Sequence, residues 1–453
     1  MSVAAASGAR TSSRIWNWVA TAALAALVVI AADALRTPSR DVAVLAPLNP
    51  ADIRPGFGPA TYGEALAAAD RSVDGAREAL ELHPSEWLRM EGLARALAAR
   101  HRLTASSADL AEADRLLDQA LEIVPWPAGP ALSRAAASLA RHDLPGAERA
   151  LVRFDASAVP APADEQAEAR AIRCEIAFER GAIADARRLC AGGDDLAGNL
   201  RLANLAARTG DAEAAARMIE TQLRRARLSP AAVATMALQR ASVALAQGEW
   251  QASGTWARAA ERAFPGYWLS EAYVAQQYAL EGNRGEARRR YALLAKRTGD
   301  PDVLDALARL DDADGRTAEA RGWADRAGAA WEARTRLLPA TYATHHAEHL
   351  LLHGDRARAL ALLEADYRRR PFPGTIVHYG YALWRIGDPA RALDVVRRGE
   401  AQGFMTADMK FLEAISLASL GRAAEAGEAI TEARRRNPRI DSQRQQFVTF
   451  GRD

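Results

Sequence analysis

Half of the eight histidines fall between His345 and His353, in the run Thr344-His345-His346-Ala347-Glu348-His349-Leu350-Leu351-Leu352-His353. On a helix, His346, His349 and His353 share one stripe, and His345, His349 and His353 share another. Neutral imidazoles at that spacing can hold a transition metal. The run is not the His-Glu-x-x-His of metalloproteases, because Glu348 precedes the third histidine instead of following the first. A zinc enzyme also needs an open coordination position and a placed base. The stripe therefore reads as packing against the preceding element. No metal is assigned, and His346, His349 and His353 stand as the alternative ligand set.

The two cysteines, Cys174 and Cys190, are too few for a disulfide framework or a four-cysteine zinc site. Both fall where two helices of one hairpin would meet, so in an oxidising compartment they are a candidate disulfide. The other reading is a pair of small buried thiols. Three arginine runs, Arg288–Arg290, Arg368–Arg370 and Arg434–Arg436, invite a nucleic-acid reading. The latter two sit just before Pro371 and Asn437-Pro438, where cations offset a helix C-terminus. With 59 basic and 57 acidic residues, the chain has no bulk attraction for nucleic acid. No GxxxxGK[ST], no GxGxxG after a strand and no GxSxG occurs, so no catalytic residue and no cofactor is assigned.

The elements behind these residues follow from composition. The 453 residues are 49% hydrophobic and 26% charged, but only 6% aromatic. Alanine makes up about a quarter of the chain. Small residues pack helix backbones closely, and no alternating runs suggest strands, so the chain is expected to be all-α. Lysine occurs only at Lys296 and Lys410, which reads as codon usage in a GC-rich genome.

Ile15 to Leu35 is the most apolar stretch, with an uncharged core of 18 residues from Ile15 to Ala32. That length is at the lower edge for a membrane span. Trp16 and Trp18 sit where an interfacial belt would lie, and Arg10 and Arg14 precede it. The expected division is a cytoplasmic N-terminus (1–14), a signal anchor (15–35), a Pro-rich linker (36–61), a helical array (62–440) and a C-terminal tail (441–453). A cleaved signal peptide with Ala32-Asp33-Ala34 at the cut remains open, as does a cytoplasm-facing or buried helix. The linker's prolines at 38, 47, 50, 55 and 59 favour an extended spacer.

From Tyr62 onward a turn glycine is followed five residues later by alanine. The pairs are Gly181/Ala186, Gly210/Ala215, Gly282/Ala287, Gly315/Ala320, Gly354/Ala359, Gly387/Ala392 and Gly421/Ala426, with Gly248/Ser253 a near match. The glycines recur every 29 to 39 residues, a period that marks stacked helical units. Seven residues before each glycine stands a small residue: Cys174, Ala203, Ala241, Ala275, Ala308, Ala347, Gly380 or Ala414. An antiparallel helix pair explains the pattern. The small residue meets the alanine across the seam, the glycine ends the first helix in a left-handed conformation, and Pro265, Pro371 and Pro438 stop second helices.

This pattern resembles the tetratricopeptide repeat (TPR), over roughly Tyr62 to Arg439. Ala414, Leu417, Gly421, Ala426, Ile430, Ala433 and Pro438 form its best instance. Two earlier units keep only the second-helix pattern, Ala113-Leu117-Ala120-Pro125 and Ala147-Leu151-Phe154. The family's first-helix tryptophan is mostly missing, and Asp311 takes a usually apolar position. Arg100–Ala108 and Ala156–Asp164 read as long turns. About ten helix pairs are counted, giving an α-solenoid.

The resemblance implies a concave face, lined by first helices, that binds a protein or peptide and helps assemble complexes. On the segment His378–Arg385, a Gly380 facing the second helix would leave Tyr381, Trp384 and Arg385 toward the groove. Those three residue types dominate interface energetics. The competing reading is that Trp384 fills a gap against the next repeat. The expectation is a single-pass protein of the bacterial cytoplasmic membrane whose array faces the periplasm and serves as a scaffold, not an enzyme. The alternatives are an exported soluble accessory protein with a metal at the histidine stripe, and a cytoplasm-facing TPR regulator of envelope synthesis.

Overall fold

The computed structural model describes residues 48–191, 196–225 and 227–451. The expected cytoplasmic N-terminus (1–14), the expected anchor (15–35) and the first part of the expected linker lie outside them. Among the described residues there are 21 α-helices and no strand, and no helix is long and apolar enough to cross a membrane.

Helix α1 (Tyr62–Leu82) leads into ten antiparallel hairpins. The first five are α2 (Trp87–Thr104) with α3 (Ser107–Glu122), α4 (Ala131–Ala140) with α5 (Leu144–Asp155), α6 (Ala163–Glu179) with α7 (Ile183–Cys190), α8 (Leu196–Arg208) with α9 (Ala212–Arg225), and α10 (Pro230–Ala246) with α11 (Trp250–Ala263). The second five are α12 (Trp268–Glu281) with α13 (Arg284–Thr298), α14 (Pro301–Ala313) with α15 (Thr317–Leu337), α16 (Pro339–His353) with α17 (Arg356–Arg369), α18 (Pro373–Arg385) with α19 (Pro389–Ala401), and α20 (Ala407–Ser419) with α21 (Ala423–Arg436).

The last hairpin shows how sequence makes such a unit. Thr406 caps α20 by accepting the Met409 N–H, which satisfies one of the helix's orphan donors. Gly421 takes φ +73°, and the N–H of Arg422 returns to the Leu417 carbonyl at 3.0 Å. That is the Schellman turn that a glycine just past a helix end permits. Ala414 and Ala426 are then buried in the seam. The same turn recurs at Gly181, Gly248, Gly282, Gly315 and Gly387, all with positive φ. His142 holds this place in the second hairpin at φ +57°. Gly354 departs from the expected pattern. Its φ is −143° and its N–H returns to the Leu350 carbonyl, while Asp355 caps α17 through the Ala357 and Arg358 N–H groups.

First helices also touch the first helices beside them, as in α4–α6, α6–α8, α16–α18 and α18–α20, while no comparably extensive contact joins the second helices of neighbouring hairpins. First helices therefore form the inner layer of a curved array. The curve is tight enough for successive superhelical turns to touch. Trp268 at the start of α12 donates to the Leu103 carbonyl in the first hairpin's turn. Thr341 on α16 donates to Arg141 in the second. Met405, before α20, donates its N–H to the Arg208 carbonyl in the fourth. Each turn thus meets the element five to six hairpins later.

The segments at the two ends of the array pack on it. Residues 48–61 are not a free spacer: Gly56 N–H bonds the Leu228 carbonyl at 2.7 Å, and Leu48 and Ile53 pack on the main core. Residues 441–451 are not a loose tail: Phe447, Val448 and Phe450 are buried against α12, α13 and α14. The expected long turn at Arg100–Ala108 is also short. α2 runs to Thr104, and Ala105 turns the chain at φ +55°.

Candidate partner-binding surface

Gly380 is buried against the neighbouring hairpin. A Cβ there would come within 2.6 Å of the Leu412 side chain. That contact fixes the rotation of α18 and puts Tyr381, Trp384 and Arg385 together on another side. The Tyr381 and Trp384 rings stack at 5.6 Å, and the Arg385 guanidinium lies over Tyr381 at 5.9 Å, an arrangement that favours a cation over a ring face. Tyr381 is 38% exposed, and Ile386 beside it is also exposed. Trp384 is half-buried and donates its indole N–H to Ser419 Oγ on α20 at 3.0 Å. Trp384 is thus braced by the next hairpin and stacked on Tyr381.

His349 and His353 on α16 lie with ring centroids 5.4 Å apart, but His345 and His346 turn to other partners. His346 Nδ1 bonds Thr335 Oγ1 at 3.0 Å, and its other nitrogen faces Glu332 at 3.9 Å. Burial holds this imidazole below its ordinary range, and Arg358 pushes the same way. His349 Nδ1 donates to Asp305 Oδ1 at 2.8 Å, since a carboxylate only accepts. Its Nε2 lies against Gly328 on α15. Asp305 also accepts the Trp331 indole N–H at 2.9 Å. His345 stacks on Trp331, and His353 is exposed. The stripe packs α16 against both helices of the preceding hairpin, α14 and α15, and among the described residues no three metal-ligating side chains come together.

Cys174 on α6 and Cys190 on α7 face each other in one seam, with Cα atoms 5.5 Å apart and their sulfurs joined. Both are buried. The arginine runs are absorbed by the chain's own carboxylates. Arg288 binds Asp311 at 2.7 Å, Arg289 and Arg290 bind Glu286, Arg368 binds Glu364, Arg434 binds Asp441, and Arg435 and Arg436 bind Glu432. Asp311, at its usually apolar position, also accepts from Trp323 and Arg316.

Arg370 departs from its expected role as a helix-end cation. It is buried, forks onto Asp366 at 2.8 and 3.0 Å, and meets Glu179 of α6. Sequence reasoning also missed an acidic-basic cavity of about 260 Å³ beside stacked Tyr367 and Tyr379, with Arg391 donating to the Tyr379 hydroxyl at 2.8 Å. It missed a larger opening of about 610 Å³ where Gln247–Ala252 faces Arg435–Arg439. Both depend on side chains far apart in sequence, and no local motif marks them.

Fold and surface define a class: an all-α array of helical hairpins whose inner layer carries an exposed aromatic-arginine cluster. No family model matches the chain, and no curated protein does. Solved structures that overlay on it include a tetratricopeptide repeat protein from Parabacteroides merdae ATCC 43184 (13% identity, 55% of this chain and 96% of that one, TM-score 0.34). Others are the APC/C hetero-tetramer Cut9-Hcn1 (11% identity, 87% and 84%, TM-score 0.37) and yeast Tom70 (12% identity, 85% and 96%, TM-score 0.34). The architecture rests on this chain's own contacts, not on these overlays.

Proposed function

We propose that this chain is a TPR-like scaffold that holds a protein or peptide partner on its inner face. The observation that carries the reading is the Tyr381–Trp384–Arg385 cluster, two stacked rings and a guanidinium, partly open to solvent on a first helix. Large rigid side chains of these types give much contact area for little ordering cost. Its mechanism is equilibrium binding to a preformed surface. The apolar segment 15–35 would tether the array to the cytoplasmic membrane, with the array on the outer side, and so raise the local concentration of scaffold near membrane partners.

Photo-crosslinking in cells from position 384, compared with Arg398 on a second helix as the control position, tests the reading. The expected result is a discrete captured protein from 384 that is lost with Tyr381→Ala. Identical capture from both positions overturns it. Reporter fusions after residue 60 test the tether, and activity only on the cytoplasmic side overturns the outward orientation.

A further inference from the structure

The segment after α21 is seated on its own array in the way a ligand is seated on a receptor. Gln276, buried on α12, directs its whole amide at that segment's main chain. Its Oε1 accepts the Thr449 and Phe450 N–H groups at 2.6 and 2.8 Å, and its Nε2 donates to the Phe450 carbonyl at 3.0 Å. The Phe450 ring lies between Tyr273 at 6.1 Å and Tyr291 at 6.2 Å. Arg309 on α14 donates to the Val448 carbonyl at 3.3 Å. Gly451 turns away at φ +81°, where a Cβ would meet Ser242 Oγ at 2.6 Å.

We infer that α10, α12 and α14 form a peptide-binding site occupied in cis by Phe447–Gly451. The external ligand is a bent segment of a partner, with aromatic residues at i and i+3 on one side of the bend, that displaces it. A buried amide whose one oxygen takes two consecutive backbone N–H groups reads a bent main chain regardless of its side chains, and the tyrosine-lined pocket supplies the selectivity. Phe447 and Phe450, both buried, set the i, i+3 spacing. The segment holds by one short contact stretch with only a single 3-10 turn, Gln443–Phe447, whereas the hairpins interlock on both sides. Releasing it leaves each hairpin paired with its neighbours. The inference rests on the inner-face reading but concerns a different stretch from the Tyr381 cluster, so the two can fail separately.

The test uses the chain ending at Ile440, the full chain, and a fluorescent synthetic peptide of residues 442–453. The shortened chain should keep its helical circular dichroism and bind the peptide with one-to-one stoichiometry, and the full chain should bind it at least tenfold more weakly. Gln276→Ala in the shortened chain should weaken binding at least tenfold, while Trp384→Ala should leave it unchanged. A helical shortened chain that ignores the peptide overturns the inference, and so does one that unfolds, because the segment is then structural. Hydrogen exchange on the full chain gives an independent reading. Thr449 and Phe450 amides should exchange at least tenfold faster than those of α12, and exchange only on global unfolding overturns the proposal.

Discussion

Arg370 and Glu179 lie on successive turns of the superhelix, yet their charged groups stand 3.5 Å apart with both side chains buried. The pair sits in a longer chain of polar contacts. His142 faces Glu179 at 3.3 Å, Arg370 forks onto Asp366, and Asp366 accepts the Thr344 hydroxyl at 2.6 Å. Arg370→Ala would strand two buried carboxylates, which typically costs about 3–5 kcal/mol. Glu179→Gln should cost much less, since Arg370 keeps Asp366. Urea unfolding midpoints check both, and an Arg370→Ala loss under about 1 kcal/mol would show that the cross-turn pair is idle.

The same network sets an acid limit. Burial alone would raise the Asp366 carboxyl, but Arg370's hydrogen bonds and charge, with the Thr344 hydroxyl, outweigh it and hold the group below its ordinary value. A carboxyl depressed in the fold adds stability that is fully present above its unfolded value, about pH 4. That stability is lost as pH falls through the lower folded value. Asp366→Asn should therefore lower stability at pH 7 and flatten its decline below about pH 4. Thermal unfolding between pH 2 and 7 reads the slope, and an unchanged acid limb removes Asp366 as its source.

Hairpins were legible because their signals are local. A small residue, a glycine seven on and an alanine five beyond describe one turn and one seam, and Ala414, Gly421 and Ala426 occupy those places. Contacts between superhelical turns join residues five or six hairpins apart and leave no periodic mark. Arg370 therefore looked like its neighbours Arg368 and Arg369, although only Arg370 turns inward. Phe447, Val448 and Phe450 were passed over for the same reason. Their one signal was three apolar residues within four positions after the last repeat, in a segment too short to form a helix of its own.

Cys174 and Cys190 close a loop with a sequence separation of 16. For a loop of that length, the chain-entropy estimate is about 3 kcal/mol of stabilisation. Intact-mass analysis of protein exported to an oxidising compartment should show both thiols absent, and reduction or Cys190→Ser should lower the thermal midpoint. Free thiols in that material would instead mark two packed cysteines.

Trp384 both braces α20 through Ser419 and faces solvent with Tyr381. Substitutions separate the roles. Ser419→Ala should cost about 1 kcal/mol of stability, the usual worth of one hydrogen bond, and leave partner capture intact. Tyr381→Ala should leave stability within about 0.5 kcal/mol, as a surface change, yet abolish capture. Capture that survives Tyr381→Ala would assign Trp384 to packing alone.

Two turn glycines with nearly equal backbone angles isolate the contact between superhelical turns. Gly248 has φ +74° and Gly421 φ +73°, so alanine at either must adopt a left-handed conformation costing roughly 1–2 kcal/mol. Their surroundings differ. A Cβ at Gly421 meets open space, whereas one at Gly248 collides with Asn437 Oδ1 from the next superhelical turn. Asn437 is buried, and its Oδ1 accepts the Arg439 N–H at 2.9 Å, so it has little freedom to withdraw. Gly248→Ala should therefore carry the backbone cost plus an overpacking cost of about 1–3 kcal/mol. Unfolding midpoints of the two variants measure the difference directly. Equal losses would mean that the turns of the superhelix do not press on each other at Gly248 in solution.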